Sequence, residues 1–406
     1  MVTRIRYILF LRDVLMLAFT AFGGPQAHIA YFTKVLVQRR RYLTEAELME
    51  LNALCQVLPG PTSTQTLTAI GFKLGGPNLA YLTLLIWMLP AVVIMTAVAI
   101  LVSSLEAKEM SMEFTRFIQP MAVGFISYAA YSISVKSVTT RDGVIIMVVS
   151  GVAAYFIRNP FVFPLTLVLA GALTAFKYKA FEKEEKKKGL IKWSNLILWA
   201  SVFVFAAILG GFTKKIPEML PIRLFENFYR TGSLAFGGGQ SMTAMLHTEF
   251  VRFAKPTPGE LEERKPFLKS EEFLTGYALA QTVPGPMFSF SSYIGALSMK
   301  QFGVGGQIIG AFISAVAIFL PGTFLIFFMI RVWDVLKKYR PIKASLEGIT
   351  AANAGLVASA AIVLFQPLDN TVLNFGFTIG TFCLLTFTKM PAWLIILSGL
   401  ALGLIL

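Results

Sequence analysis

Four places in this chain set helix-breaking residues beside polar side chains within apolar surroundings. Gly23-Gly24-Pro25 is followed by Gln26 and His28. Pro59-Gly60-Pro61 is preceded by Gln56 and followed by Thr62, Ser63, Thr64, Gln65, Thr66 and Thr68. Gly237-Gly238-Gly239 leads into Gln240. Gln281 precedes Pro284-Gly285-Pro286, after which come Ser289, Ser291, Ser292 and Tyr293. Glycine lacks a Cβ and proline lacks an N–H, so a helix breaks at such places. The helix that starts after each break presents unpaired N–H groups and about half a positive charge. Several such ends at one depth, with hydroxyl and amide donors beside them, suit an oxyanion and need no metal or cofactor. Ser and Thr also let helices pack closely in lipid. The recurrence of the whole cluster beside recurring breaks is what favours a binding role. Lys73 closes the second of these segments, and Lys300 holds the corresponding place later in the chain. Ionisable residues at membrane depth are functional candidates, and both lysines can equally snorkel to the interface.

Other chemistries find little support. Cys55 and Cys383 are far apart, as are His28 and His247, so neither a disulfide framework nor a Cys or His metal site is expected. No GxxxxGK[ST] phosphate loop occurs, which argues against direct use of ATP. The apolar runs lack Asp and Glu, so an enzyme acting within them would have no carboxylate acid or base. No catalytic residue and no cofactor is expected.

The elements that must position these residues are membrane helices. The 406 residues are 56% hydrophobic and 14% charged, where a soluble chain carries about 25% charged residues. Charge-free apolar runs cover 14–33, 51–72, 74–105, 117–135, 143–157, 159–176, 193–213, 231–248, 273–299, 301–330, 348–368, 370–388 and 390–406. The expected fold is an all-α polytopic membrane protein. The net charge of +14 sits in short loops, which fits the positive-inside rule rather than a nucleic-acid partner.

The chain repeats itself. Ala21-Phe22-Gly23-Gly24-Pro25-Gln26 recurs as Ala235-Phe236-Gly237-Gly238-Gly239-Gln240, and Gln56-Val57-Leu58-Pro59-Gly60-Pro61 as Gln281-Thr282-Val283-Pro284-Gly285-Pro286. Ile70-Gly71 matches Ile294-Gly295, Pro90 matches Pro321, and Gly124 matches Gly355. This divides the chain into a repeat at 1–179, a basic linker with one extra helix at 180–213, and a second repeat at 214–406. Loop charge inverts the second repeat. Loop 104–116 is acidic and reads as outside, while its counterpart 331–343 is basic and reads as inside. Loop 38–44, with Arg39, Arg40 and Arg41, and linker 177–192 read as inside, and 250–272 as outside. Arms of about 12–16 residues, roughly 18–24 Å, flank each break and cannot cross a core of about 30 Å. Four re-entrant hairpins around a midplane site are therefore expected, with tips near 23–25, 59–61, 237–239 and 284–286. Fully spanning but kinked helices are the alternative. Inverted repeats with broken helices are a transporter signature.

The motifs Phe22-Gly23-Gly24-Pro25 with His28, Gln56 to Pro61, Phe236 to Gly239, and Gln281 to Pro286 resemble the chromate transporter (CHR) family in its long, two-repeat form. The resemblance covers nearly the whole chain. It implies efflux of chromate across a bacterial inner membrane, with sulfate as a look-alike substrate. The family's proline shortly after Phe-Gly-Gly-Gly has no counterpart between Thr243 and Leu246. Together with the residues above, the resemblance implies an oxyanion ligand set of Gly23, Gly24, Pro25, Gln26, His28, Gln56, Pro59, Gly60, Pro61, Thr62, Ser63, Thr64, Gln65, Lys73, Gly237, Gly238, Gly239, Gln240, Gln281, Pro284, Gly285, Pro286 and Ser289. Rival readings are uptake of sulfate or another oxyanion, and a passive anion channel. The bilayer is the other expected partner, and a homodimer is left open.

Overall fold

The computed structural model describes residues 2–108, 113–157, 159, 161–176, 193–213, 219–236, 240–252, 267–336 and 340–405. Among these residues the chain is helical throughout and contains no strand. In lipid the backbone must satisfy its own hydrogen bonds, and helices do so within one segment. Among the described residues, four helices are long and apolar enough to cross a membrane: Thr62–Ala107, Ser194–Phe212, Lys300–Trp333 and Ala344–Phe365. Large exposed apolar side chains such as Phe176, Phe205, Phe212 and Phe387 face outward, where lipid would cover them. The protein is an all-α, multi-pass membrane protein.

The helices follow in chain order on either side of a lone helix. The first half runs α1 (Val2–Thr20), α2 (Gly24–Phe32), α3 (Glu45–Val57), α4 (Thr62–Ala107), α5 (Ile118–Ser137), α6 (Arg141–Phe156) and α7 (Val162–Ala175). A lone helix, α8 (Ser194–Phe212), follows. The second half runs α9 (Leu220–Leu234), α10 (Gln240–His247), α11 (Ser270–Ala280), α12 (Phe290–Ser298), α13 (Gly303–Leu336), α14 (Arg340–Phe365), α15 (Val372–Phe387) and α16 (Ala392–Ile405). Both α2 and α10 continue as a short π-helix, Thr33–Arg39 and Thr248–Arg252. The 46-residue α4 is two helices in series, because Gly75 and Gly76 leave helical geometry. Gly76 has φ 74° where Gly303, between α12 and α13, has φ 69°. A positive φ is costly for any residue with a Cβ, so glycine holds both corners.

Local chemistry starts these elements at the expected points. Thr44 caps α3: its Oγ1 accepts from Glu47 N–H at 3.2 Å, and Glu47 Oε2 accepts from Thr44 N–H at 2.7 Å. At the matched place Glu272 accepts from Lys269 N–H at 2.6 Å ahead of α11. Lys73 Nζ meets Glu47 at 2.6 Å, and Lys300 Nζ meets Glu272 at 2.8 Å. The bond from Lys73, then that from the Thr44 backbone, hold the Glu47 carboxyl down at about 2. An ion pair thus ties the base of the helix pair α3–α4 and likewise the base of α11–α12.

The halves interlock rather than sit side by side. The long part of α4 begins beside its own helix pair and ends at Glu106, bonded to Lys300 in the other half. The chain of α13 begins beside Lys300 and ends with Phe327 stacked on Phe72 and Arg331 over the same ring. The two long helices therefore run antiparallel, with the bases of the two helix pairs at opposite ends. Glycines let backbones meet in the outer layer. A Cβ at Gly124 in α5 would lie 2.6 Å from the Thr378 carbonyl of α15, and one at Gly355 in α14 would collide with the Met147 carbonyl of α6.

Candidate functional site

The helices stop where the glycine and proline motifs stand. Between α1 and α2, Gly23 has φ 94° and Gly24 φ 77°. Gly60 has φ 113° and Gly285 φ 95°, so the two Pro-Gly-Pro tips share one backbone shape. Pro61 is the N-cap of α4, and Pro286 that of the short turn Met287–Ser289 leading into α12.

Each tip is received by the other half. Gly60 N–H donates to the Ala235 carbonyl at 2.7 Å, and Gly285 N–H donates to the Ala21 carbonyl at 3.0 Å. Ala21 and Ala235 are the equivalent first residues of the Ala-Phe-Gly-Gly motifs, so the bonds are exchanged reciprocally. Packing follows the same rule. A Cβ at Gly60 would lie 3.7 Å from Gly322 Cα, and one at Gly285 would lie 3.4 Å from Ala91 Cβ. Gly322 and Ala91 directly follow the matched prolines Pro321 and Pro90 inside the long helices. The two Pro-Gly-Pro tips thus meet the backbone at Ala21 and Ala235 and the proline-containing middles of the long helices.

The first turn of α4 is the polar centre. Thr62, Ser63, Thr64 and Gln65 are all buried, as is His28. His28 Nδ1 and Ser63 Oγ are hydrogen-bonded at 3.0 Å. Trp87 Nε1 donates to Thr64 Oγ1 at 3.2 Å, and the indole stands edge-on to His28 with centroids 5.3 Å apart. Gln65 Nε2 donates to the Pro59 carbonyl at 2.6 Å and braces the tip. His28 Nε2, Thr62 Oγ1 and Gln65 Oε1 are buried without a hydrogen-bond partner. In the tautomer whose Nδ1 accepts from Ser63, Nε2 is a donor. Two unpaired donors beside the free N–H groups of a helix start favour a negative ligand. Buried donors left unpaired cost about 1–3 kcal/mol each, which an anion returns when it pairs them, whereas Gln65 Oε1 is an acceptor that an anion does not satisfy.

The second half is less polar here. Met287 and Phe288 stand where the first half has Thr62 and Ser63. Ser289 donates to the Pro286 carbonyl at 2.7 Å and Ser291 to the Phe288 carbonyl at 2.8 Å. Ser292 Oγ is buried without a partner, and Gln281 is half-buried beside Met287.

Some expected ligands are placed elsewhere. Gln56 is exposed, and Lys73 is 45% exposed in its pair with Glu47 at the helix-pair base. Pairing of both lysines with carboxylates at the bases accounts for their matched positions. Gly237, Gly238 and Gly239, and the side chains of Gln26 and Gln240, lie outside the described residues, as do linker 177–192 and most of loop 250–272. Sequence reasoning missed Trp87, Gly322 and Asp13. Asp13 is buried in α1 and accepts from Arg40 at 2.9 Å and Tyr42 at 2.8 Å, tying the base of α1–α2. A lone Asp beside a long apolar run was the available signal.

Comparison with known proteins bears on what such a site holds. A family model described as chromate transporter matches residues 8–176 and 222–404. The chain belongs to the chromate transporter family. Its match falls in two stretches, one in each half of this family member. A probable chromate transport protein of Synechococcus elongatus is 25% identical over 397 residues, 96% of this chain and 93% of that one. The chromate transport protein of Cupriavidus metallidurans is 26% identical, covering 96% of this chain and 91% of that one. An uncharacterized transporter of Methanocaldococcus jannaschii is 26% identical, covering 96% and 92%. No solved structure matches the chain.

Proposed function

We propose that this protein exports the chromate oxyanion from the bacterial cytoplasm across the inner membrane, as a secondary transporter, with sulfate as a structural analogue. The observation that carries the reading is the reciprocal bonding of Gly60 to Ala235 and of Gly285 to Ala21. It joins both halves around the buried start of α4, where His28 and Thr62 supply donors. Residues 1–179 and 214–406 act as inverted repeats, linked by 180–213, and their four helix pairs are re-entrant. The antiparallel long helices, with the ion-paired bases at opposite ends, support the inversion. The membrane potential suffices to drive efflux. About 2.3 kcal/mol per charge per 100 mV acts on the ion, so a dianion leaving a negative interior gains roughly twice that.

The deciding experiment is uptake of labelled chromate into inverted vesicles at clamped potential, with sulfate as competitor. Saturable uptake that follows the potential and yields to sulfate is the expected result. Flux without saturation or competition would favour a channel.

Two further outcomes are expected. Lys73→Gln should leave chromate affinity unchanged, because the Lys73 ammonium is half exposed and held by Glu47. A several-fold rise in KM would return Lys73 to the site. In intact cells an impermeant thiol reagent should modify a Glu113→Cys protein and spare an Arg39→Cys protein. The native Cys55 is buried and Cys383 is replaced by Ser as background. The reverse labelling pattern would sink the inverted arrangement.

A further inference from the structure

The base of the α11–α12 pair is tied to the other half of the chain. Glu106, in the last turn of α4, lies 3.0 Å from Lys300 Nζ and 3.6 Å from Lys269 Nζ. Lys300 also holds Glu272 at 2.8 Å. One turn earlier, Ser103 Oγ accepts from Gln307 Nε2 at 2.6 Å. The ion pairs of Glu106 and the bond from Gln307 to Ser103 run from the first half to the second. At the opposite end, the α13 residues Phe327 and Arg331 meet Phe72, next to Lys73. Tyr81 adds an edge contact to Phe327. The two matched ends of the molecule are therefore held by different forces. One has ion pairs between the halves, the other aromatic packing.

Beside the ionic end lies a cavity of about 600 Å³. Five carboxylates, those of Glu106, Glu113, Glu271, Glu272 and Asp369, outnumber the cations Arg116 and Lys269 in its lining, which also includes Thr275. Thr275 is a buried residue of α11, the arm that leads to Gln281 and the fourth break. The cavity thus runs part of the way from the surface toward the fourth break.

We propose that the clasp of Glu106, Lys300 and Glu272 is the outer gate of the anion site and opens by releasing the end of α4 from the α11–α12 base. This inference rests on the transport reading above. Lys300 is 41% and Glu106 27% exposed, so water can replace their contacts at little cost. The half-wet Glu106–Lys300 pair therefore opens and recloses readily, while buried Glu272 keeps Lys300 on the α11–α12 base. The aromatic contact at the other end must instead expose apolar surface to water. Once the clasp is open, the acidic excess of the cavity lining disfavours a dianion resting there, so the cavity passes the ion without holding it.

The test uses the whole protein in proteoliposomes, with Cys383→Ser as background. A reporter, Ala280→Cys, stands buried near the fourth break, beyond the clasp. Adding Glu106→Gln should raise its labelling by an impermeant thiol reagent from the outer side by roughly fivefold, as loss of a weak ion pair allows. In a second arm, Glu106→Cys and Lys300→Cys are bridged by a short bifunctional thiol reagent. Bridging should stop chromate flux, and cleaving the bridge should restore it. Bridging Glu47→Cys to Lys73→Cys, within one helix pair, should leave flux intact. Complete bridging of 106 to 300 with unchanged flux would overturn the gate, as would unchanged labelling in the Glu106→Gln protein. Absence of chromate flux from the unaltered protein would instead sink the transport reading, and the labelling arm would still decide the gate.

Discussion

Gly60→Val and Gly285→Val should each abolish chromate transport while the protein remains in the membrane at near-normal abundance. Both glycines hold a left-handed backbone, φ 113° and 95°. An L-residue there costs about 1–2 kcal/mol, and a β-branched one fits worse still. The space is closed as well. A Cβ at Gly60 would stand 2.9 Å from Gln65 Nε2, the group that braces the tip through the Pro59 carbonyl. At Gly285 it would stand 3.3 Å from the Ala18 carbonyl and 3.5 Å from that of Trp87. At Gly285 the change pushes the tip away from Ala18, Trp87 and Ala91 and weakens its bond to Ala21, and at Gly60 it displaces the bracing Gln65 amide and distorts the tip that bonds to Ala235. One shared site should therefore fail from either side. Flux, membrane abundance and thermal stability in detergent must be measured together. A purely structural role would show as lost folded protein. Full transport by both variants would remove the shared site from this account.

The second large effect is expected at the polar centre. Thr62→Val keeps the shape of the side chain and removes one unpaired donor, and His28→Ala removes the other together with the bond to Ser63. A hydrogen bond to a charged partner contributes about 1.5–3 kcal/mol. Each variant should therefore raise the KM for chromate by roughly tenfold to a hundredfold, since about 1.4 kcal/mol is tenfold. His28→Ala also opens space beside Trp87, so its thermal stability should fall, whereas that of Thr62→Val should not. Unchanged KM in both proteins would make these residues packing groups and move the anion elsewhere.

Much of this was legible before any coordinates. Apolar runs gave the helices because hydropathy is local, and α8 lies where the extra helix between the repeats was read, near 193–211. The breaks at 21–23, 58–61 and 281–286 follow from glycine and proline, whose limits on φ and on N–H donation need no partner. Matched motifs marked His28 and the Thr62 to Gln65 turn as polar positions beside the breaks.

Other features depend on what lies across from a residue, and spacing along one chain carries no record of that. Lys73 and Lys300 read alike in sequence as ligands or anchors. Only the fold sets Glu47 against one, and both Glu272 and Glu106 against the other. Trp87 looks like one more apolar residue in a long run until α4 turns its indole onto Thr64 and His28. Nor could the motifs show that Gly60 bonds to Ala235 and Gly285 to Ala21, exchanging partners between repeats. The sequence determined where each helix breaks, because a break is a property of its own residues. The tertiary structure alone decided which breaks meet, because that depends on two long helices running antiparallel and carrying each tip into the opposite half.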